Sequence, residues 1–307
     1  MAEEVRKSVL VIGGTGYLGS KVVDALLKQN VKVSALVREG SDAKNLEAKG
    51  VKIIRGDLTQ PATILPALKN KDVVISTAIG YSQRRKGDSL QSVDDIGNRN
   101  LVDALKLANI QRFVFLSILT AEKARSVPHF WQKKLIEDYM DQKGVPYVSL
   151  RPGGFLDQMP AWDPYVNGLK SGNLKVLGTT TVKWSMILTE DLAKYLSMAA
   201  LDDTIPPGKI DIGMEEPVNA QILARYASEY TGRKIKVSAV PWMIMGTMFS
   251  LIGIFKPQMA DMKKMFDYFF SGQYVADTTL QMKYFGEVPT VKDSMYRYFR
   301  QIDLTKA

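Results

Sequence analysis

Gly13, Gly16 and Gly19 fall within the stretch Val11-Ile12-Gly13-Gly14-Thr15-Gly16-Tyr17-Leu18-Gly19-Ser20, directly after an apolar run and at the start of an amphipathic one. Glycines at this spacing let a backbone approach a pyrophosphate closely. The phosphate charge then sits on free N–H groups at the positive end of the following helix, and the last glycine lets that helix pack on its sheet. The strand–turn–helix context separates this pattern from a tight turn that merely holds glycines. Dinucleotide binding through residues Gly13 to Gly19, with Thr15, Tyr17 and Leu18 in the cradle, is the chemistry expected. Arg38 ends the second apolar run, where an NAD site usually carries an acidic residue for the ribose hydroxyls. A guanidinium there favours a 2′-phosphate, so NADP(H) is the expected cofactor. The alternative is a solvated strand-end arginine, with Asp42 nearby.

Other chemistries find little support. The chain has one histidine and no cysteine, which excludes a disulfide framework, thiolate metal sites and a cysteine nucleophile. No carboxylate spacing resembles a calcium loop, so no metal site is expected. A serine hydrolase would need a nucleophile elbow and a histidine partner, and neither is legible.

The elements that must position these residues follow from periodicity. Short apolar runs at Ser8 to Ile12, Val31 to Val37, Val51 to Ile54, Asp72 to Ser76, Arg112 to Leu116 and Tyr147 to Leu150 read as strands. Amphipathic stretches at Ser20 to Gln29, Ala62 to Leu68, Gly97 to Ala108 and Trp131 to Gln142 read as helices. Strands and helices alternating in this way imply an α/β fold with a Rossmann-type, doubly wound parallel sheet. Past Pro152 the rhythm breaks, so residues 1–157 are expected to form the NADP-binding domain and 158–307 a smaller C-terminal α/β substrate region. Two strands within 183–213, Met186 to Leu188 and Lys209 to Ile212, are expected to return to the main sheet.

A formal charge of +9 suits anionic partners, among them cofactor phosphates, an acidic substrate or a membrane surface, and equally serves plain solubility. Nucleic acid is not expected, because no basic helix, zinc spacing or aromatic-basic interleaving appears. The charged start Met1 to Lys7 does not read as a secretory signal, and a reducing compartment such as the cytoplasm is expected.

With Gly13 to Gly19, Arg38, Gly56-Asp57-Leu58, Arg112 to Ser117, Lys133 to Glu137 and Leu150-Arg151-Pro152-Gly153-Gly154-Phe155 in place, the chain resembles the atypical short-chain dehydrogenase/reductases of the NmrA-like branch. The segment Phe115 to Lys123 looks like the photosystem assembly factors of that branch. The stretch from Val240 to Tyr274 is similar to the divinyl chlorophyllide reductases. The resemblance implies that Asp57 and Leu58 lie beside the adenine, that Thr77, Ala78 and Ile79 line the cofactor, and that Pro152, Gly153 and Phe155 flank the nicotinamide end. In the superfamily a Tyr four residues before a Lys donates a proton, while the Lys holds the nicotinamide ribose. Here Lys133 keeps its place and His129 stands where the Tyr would be. The resemblance therefore makes Lys133 and His129 the catalytic candidates, with the imidazole as a general acid or as a residue of no catalytic role. Isoflavone-reductase-like enzymes work with a Lys and no such Tyr. Ser117 and Thr120 fall near the family's catalytic hydroxyl.

Residues Pro241 to Phe255 are the most apolar run, followed by Met259, Met262, Met265, Phe266, Phe269 and Phe270 within 241–270, yet the run is short for a bilayer. Core or subunit contact, a pliable wall for a greasy ligand, and contact with a membrane surface or a protein partner all remain open. Two functions are carried forward. The first is an NADPH-dependent reductase of an apolar, conjugated or aromatic small molecule; the second is a non-catalytic NADP(H)-binding regulatory or assembly factor.

Overall fold

The structure is a computed structural model that describes residues 6–80, 87–161 and 163–305. The chain divides into two compact units. One holds Met1–Glu122, Pro128–Arg151 and Glu190–Ile210; the other holds Lys123–Val127, Pro152–Thr189 and Asp211–Ala307.

In chain order the first elements are β1 (Ser8–Ile12), α1 (Tyr17–Leu27), β2 (Lys32–Val37), α2 (Lys44–Ala48), β3 (Lys52–Arg55), α3 (Ile64–Ala67), β4 (Val73–Ser76), α4 (Asn98–Leu107), β5 (Arg112–Leu116), α5 (Pro128–Lys143) and β6 (Tyr147–Pro152). Then come β7 (Gly154–Phe155), α6 (Asp163–Ser171), β8 (Asn173–Gly178), β9 (Met186–Ile187), α7 (Thr189–Leu201), β10 (Gly208–Ile212), α8 (Ala220–Thr231), β11 (Lys236–Pro241), α9 (Trp242–Gly253), α10 (Pro257–Phe270), α11 (Thr279–Phe285) and α12 (Val291–Gln301).

The first unit is built on a seven-stranded sheet in the order β10-β6-β5-β4-β1-β2-β3. All pairings from β6 to β3 are parallel. The residues of β1 and β4 are almost wholly buried on both faces, which is why these strands read as continuous apolar runs rather than as alternation. Strand order reverses at β1, so the crevice between the carboxyl ends of β1 and β4 is the switch point where such sheets bind ligands. Leu10, Val74, Leu101, Phe113, Phe115 and Ile136 belong to the core on one face. The predicted helix over residues 62–68 is a short 3-10 turn plus the single turn of α3, with Pro61 and Pro66 in it.

The second unit has its own core, which includes Leu169, Leu188, Leu223, Met295 and Phe299. It carries two short parallel pairs, β11 with β8 and β7 with β9. Of the two strands expected to return to the main sheet, Lys209 to Ile212 lies in β10 beside β6. The expectation for Met186 to Leu188 is corrected: β9 pairs with β7 instead. A short apolar run reports burial but not which neighbour it will find.

Helices α9 and α10 pack through Trp242, whose ring lies 5.8 Å from Phe249, 5.5 Å from Phe266 and 5.1 Å from Phe270. The Trp242 indole N–H donates to Asp267 at 2.6 Å. Much of α9 is nevertheless open to solvent, with Met243 85% and Ile244 63% exposed. No helix among the described residues is long and apolar enough to cross a membrane.

Arg112, the first residue of β5, secures the returning segment of the first unit. Its guanidinium donates to the carbonyls of Ala199 (2.8 Å) and Asp202 (2.6 Å) at the end of α7 and of Ile205 (2.6 Å) in the loop that follows. Arg112→Ala is expected to lower stability by about 2 kcal/mol, and Arg112→Lys to recover little, because an ammonium cannot copy the fork. Urea unfolding of the two variants checks this.

Candidate nucleotide site and buried lysine

The glycine turn leaves β1 at the switch point. Gly13 has φ +85°, and a Cβ there would stand 2.7 Å from Thr77 Oγ1 and 3.0 Å from the Ala78 nitrogen. At Gly19 a Cβ would lie 2.1 Å from the Gly13 carbonyl oxygen. The turn is therefore closed backbone on backbone, and only residues without side chains permit it. The Gly16 N–H donates to the Gly13 carbonyl at 2.9 Å, and Gly16 caps α1 with no side-chain acceptor and no acid in the first turn. The positive end of α1 is thus uncompensated by its own side chains. Leu18 is buried in the core, whereas the Tyr17 ring is partly exposed beneath Lys21 Nζ, 4.4 Å from its centroid. Thr15 is exposed.

Thr77 joins this cradle from the end of β4, donating its N–H to the Ile12 carbonyl at 2.9 Å. Ala78 follows half-buried, and Ile79 is 41% exposed. Asp57 accepts the N–H and hydroxyl of Thr59, both at 2.9 Å, while Leu58 turns into the core. Arg38, at the end of β2, is engaged by Asp88, with Nη1 2.6 Å from Oδ1.

A second group forms on the sheet face under α5. Ser76, Phe115 and Ser149 are neighbours in register across β4, β5 and β6, so their side chains share one face; Ser117 and Arg151, two residues further along their chains, share it too. Above them α5 sets Lys133 and Glu137 one turn apart. Lys133 Nζ lies 4.7 Å from the centroid of the Phe115 ring and has no hydrogen-bond partner, although it is buried. Ser76 Oγ and Ser117 Oγ are likewise buried without a partner. Glu137, fully buried, accepts from Ser149 Oγ at 2.5 Å and from Arg151 Nε at 3.0 Å, and pairs with Arg151 Nη2. Arg151 also reaches Glu122 at 2.8 Å.

Burial pushes the Lys133 ammonium below the usual lysine range, and the carboxylates of Asp94 and Glu137 oppose that shift. Asp94 belongs to a π-helical turn at Leu90–Gly97 and accepts the Gly80 N–H at 2.8 Å. Nothing in its local spacing marks this residue, since a π turn places a side chain where helical periodicity does not expect it. The Ser76–Phe115–Ser149 row is equally silent in the sequence, because it depends on register between distant strands. Among the described residues no group of histidine and carboxylate side chains could hold a metal.

His129 occupies the first turn of α5. Burial, followed by the positive charge of Lys133, pushes its imidazole down to about 4, so the ring is neutral at pH 7. A neutral ring offers one N–H but no readily lost positive proton, which weakens the general-acid role expected for it. Pro152, Gly153 and Phe155 lie in the second unit. The Gly153 N–H donates to Ile212 O at 2.8 Å, and a Cβ at Gly153 would stand 2.4 Å from the Ser185 carbonyl oxygen.

The NmrA-like family model matches residues 5–287. The chain belongs to the NmrA-like family. It is 31% identical to the photosystem II assembly factor Ycf39 of Trieres chinensis, over 81% of this chain and 77% of that protein. It is 30% identical to the isoflavone reductase homolog P3 of Arabidopsis thaliana, over 68% of this chain and 69% of that one. Its fold is that of the Citrobacter sp. triphenylmethane reductase crystallised with NADP(H), with a TM-score of 0.74 at 19% identity, covering 95% of this chain and 99% of the other.

Two outcomes follow for this family member. Gly19→Ala is expected to abolish nucleotide binding, which a calorimetric titration would detect, since its methyl group has only backbone to displace. Between pH 6.5, where an unperturbed histidine titrates, and about 4, where His129 titrates in the fold, the unfolded chain binds the extra proton. Stability should therefore fall as pH drops through that window, by on the order of 3 kcal/mol, and His129→Gln should flatten the slope. Urea midpoints measured from pH 7 to pH 4 read both.

Proposed function

We propose that this protein is an NADPH-dependent reductase of an apolar, aromatic or conjugated small molecule. The observation that carries the proposal is the Lys133 ammonium, buried at the carboxyl ends of β4 and β5 with none of its hydrogen bonds made. A buried cationic donor is costly unless a ligand completes it, and ribose hydroxyls would do so. The backbone N–H groups of Gly13 to Gly19 take the pyrophosphate and Arg38 the 2′-phosphate. Asp57 and Leu58 border the adenine, and Thr77, Ala78 and Ile79 line the remainder. When bound, NADPH supplies a hydride from its nicotinamide ring. Lys133 holds the ribose beside that ring, Glu137 and Asp94 oppose the loss of its proton that burial favours, and His129 contributes a neutral N–H donor.

The names of an isoflavone reductase homolog and of a triphenylmethane reductase among similar proteins support an aromatic substrate class. One observation favours a second reading, an NADP(H)-binding regulatory or assembly factor without turnover. The position of the usual proton donor holds an imidazole that is already neutral at pH 7, and one relative bears the name of an assembly factor.

Calorimetry with NADPH and NADH, followed by incubation of the NADPH complex with quinones, enones and vinyl-bearing pigments at the nicotinamide absorbance band, decides between them. Consumption of NADPH supports the reductase, and Lys133→Met should then slow turnover by on the order of a hundredfold or more. Full turnover by that variant would remove Lys133 from the mechanism. Tight binding without consumption throughout the panel favours the second reading.

A further inference from the structure

Arg38 does not wait for a phosphate with a free guanidinium. Its Nη1 lies 2.6 Å from Asp88 Oδ1, and the carboxylate side chain is only 9% exposed against 29% for the arginine. Both partners are held from behind. The Arg38 carbonyl accepts from Arg55 Nη1 at 3.1 Å, and the same Nη1 donates to the Ser41 carbonyl at 3.1 Å. Asp88 is flanked by Gly87, whose carbonyl accepts from Ser92 Oγ at 3.0 Å, and by Ser89, which forms a reciprocal capping box with Ser92. The carboxylate is thus presented by an anchored stretch of chain fifty positions away from the arginine.

We propose that Asp88 sets the cofactor selectivity of this site, acting as the resident counter-ion of Arg38 that a 2′-phosphate must displace or share. The inference rests on the reading of Arg38 as the phosphate ligand. A dinucleotide without the phosphate leaves the ion pair intact and meets no repulsion from it. One with the phosphate brings two further negative charges to a guanidinium already neutralised by a largely enclosed carboxylate, and like charges at that range oppose each other. Asp88 consequently weakens NADPH more than NADH. The chain discriminates between the two less sharply than a bare arginine at the end of β2 would.

Calorimetric titrations of the full chain with NADPH, NADH and 2′-AMP test this in the wild type, Asp88→Asn, Asp88→Ser, Arg38→Ala and the double variant Arg38→Ala/Asp88→Asn. Removing the carboxylate should tighten NADPH and 2′-AMP by about tenfold, equivalent to about 1.4 kcal/mol, and leave NADH within about twofold. In the Arg38→Ala background the same change should gain nothing, since Asp88 acts through the arginine. An unchanged ratio of NADPH to NADH affinity in both Asp88 variants overturns the proposal, as does an equal gain in the absence of Arg38. Loss of NADPH binding by variants that still melt cooperatively also overturns it, because Asp88 would then be positioning the arginine. Failure of both variants to fold would make the residue structural and overturn it as well. If Arg38→Ala leaves NADPH affinity untouched in the wild type, the phosphate reading itself fails, and that arm identifies the failure separately.

Discussion

The site depends on one arrangement of buried charge. An ammonium and a carboxylate, one helical turn apart on α5, are carried over the hydroxyl-bearing face of the central sheet, with Arg151 completing the carboxylate and nothing completing the ammonium. Burying ions in a core is expensive, and the expense is bearable at Glu137 because a serine hydroxyl and a guanidinium satisfy it. At Lys133 the compensation is incomplete, limited to the electrostatic support of Asp94 and Glu137 and the face of Phe115. The fold therefore keeps a local deficit next to the crevice where the glycine turn opens. A ligand that supplied acceptors there would be stabilised by the same low-dielectric surroundings that penalise its absence.

The glycine turn and the lysine solve opposite problems at neighbouring strand ends. Around Gly13 and Gly19 the backbone is packed so closely that no side chain fits. Under α5 the side chains form the surface and the strands provide only register. The first arrangement tolerates no added atom; the second tolerates few changes of charge.

Legibility in the sequence followed this division. The turn was readable because everything it needs is local: a buried strand, three spaced glycines and an amphipathic helix within twenty residues. The central strands were readable for the same reason, with β1 and β5 found at their bounds. Lys133 was reachable through the family resemblance, which places it four residues after His129, but its isolation was not, since that follows from Phe115 arriving beneath it from another strand. Asp94 was hidden by the π turn, and Asp88 by its distance along the chain from Arg38. The misplacement of Met186 to Leu188 has a related cause: two residues of strand are too few to declare a partner, and the backbone of Ser185 met Gly154 instead of the main sheet.

The strand order also bears on how the molecule comes into being. Residues 152–189 intervene before the chain supplies α7 and then β10, the outermost strand beyond β6. During synthesis β6 is consequently an open edge for some sixty residues, offering unpaired backbone groups to any passing extended segment. A nascent chain stalled or cleaved in that interval would hold an almost complete central sheet with a sticky border. The Arg112 guanidinium that grips the end of α7 is then the latch that closes this window, converting a late-arriving strand into a permanent rim.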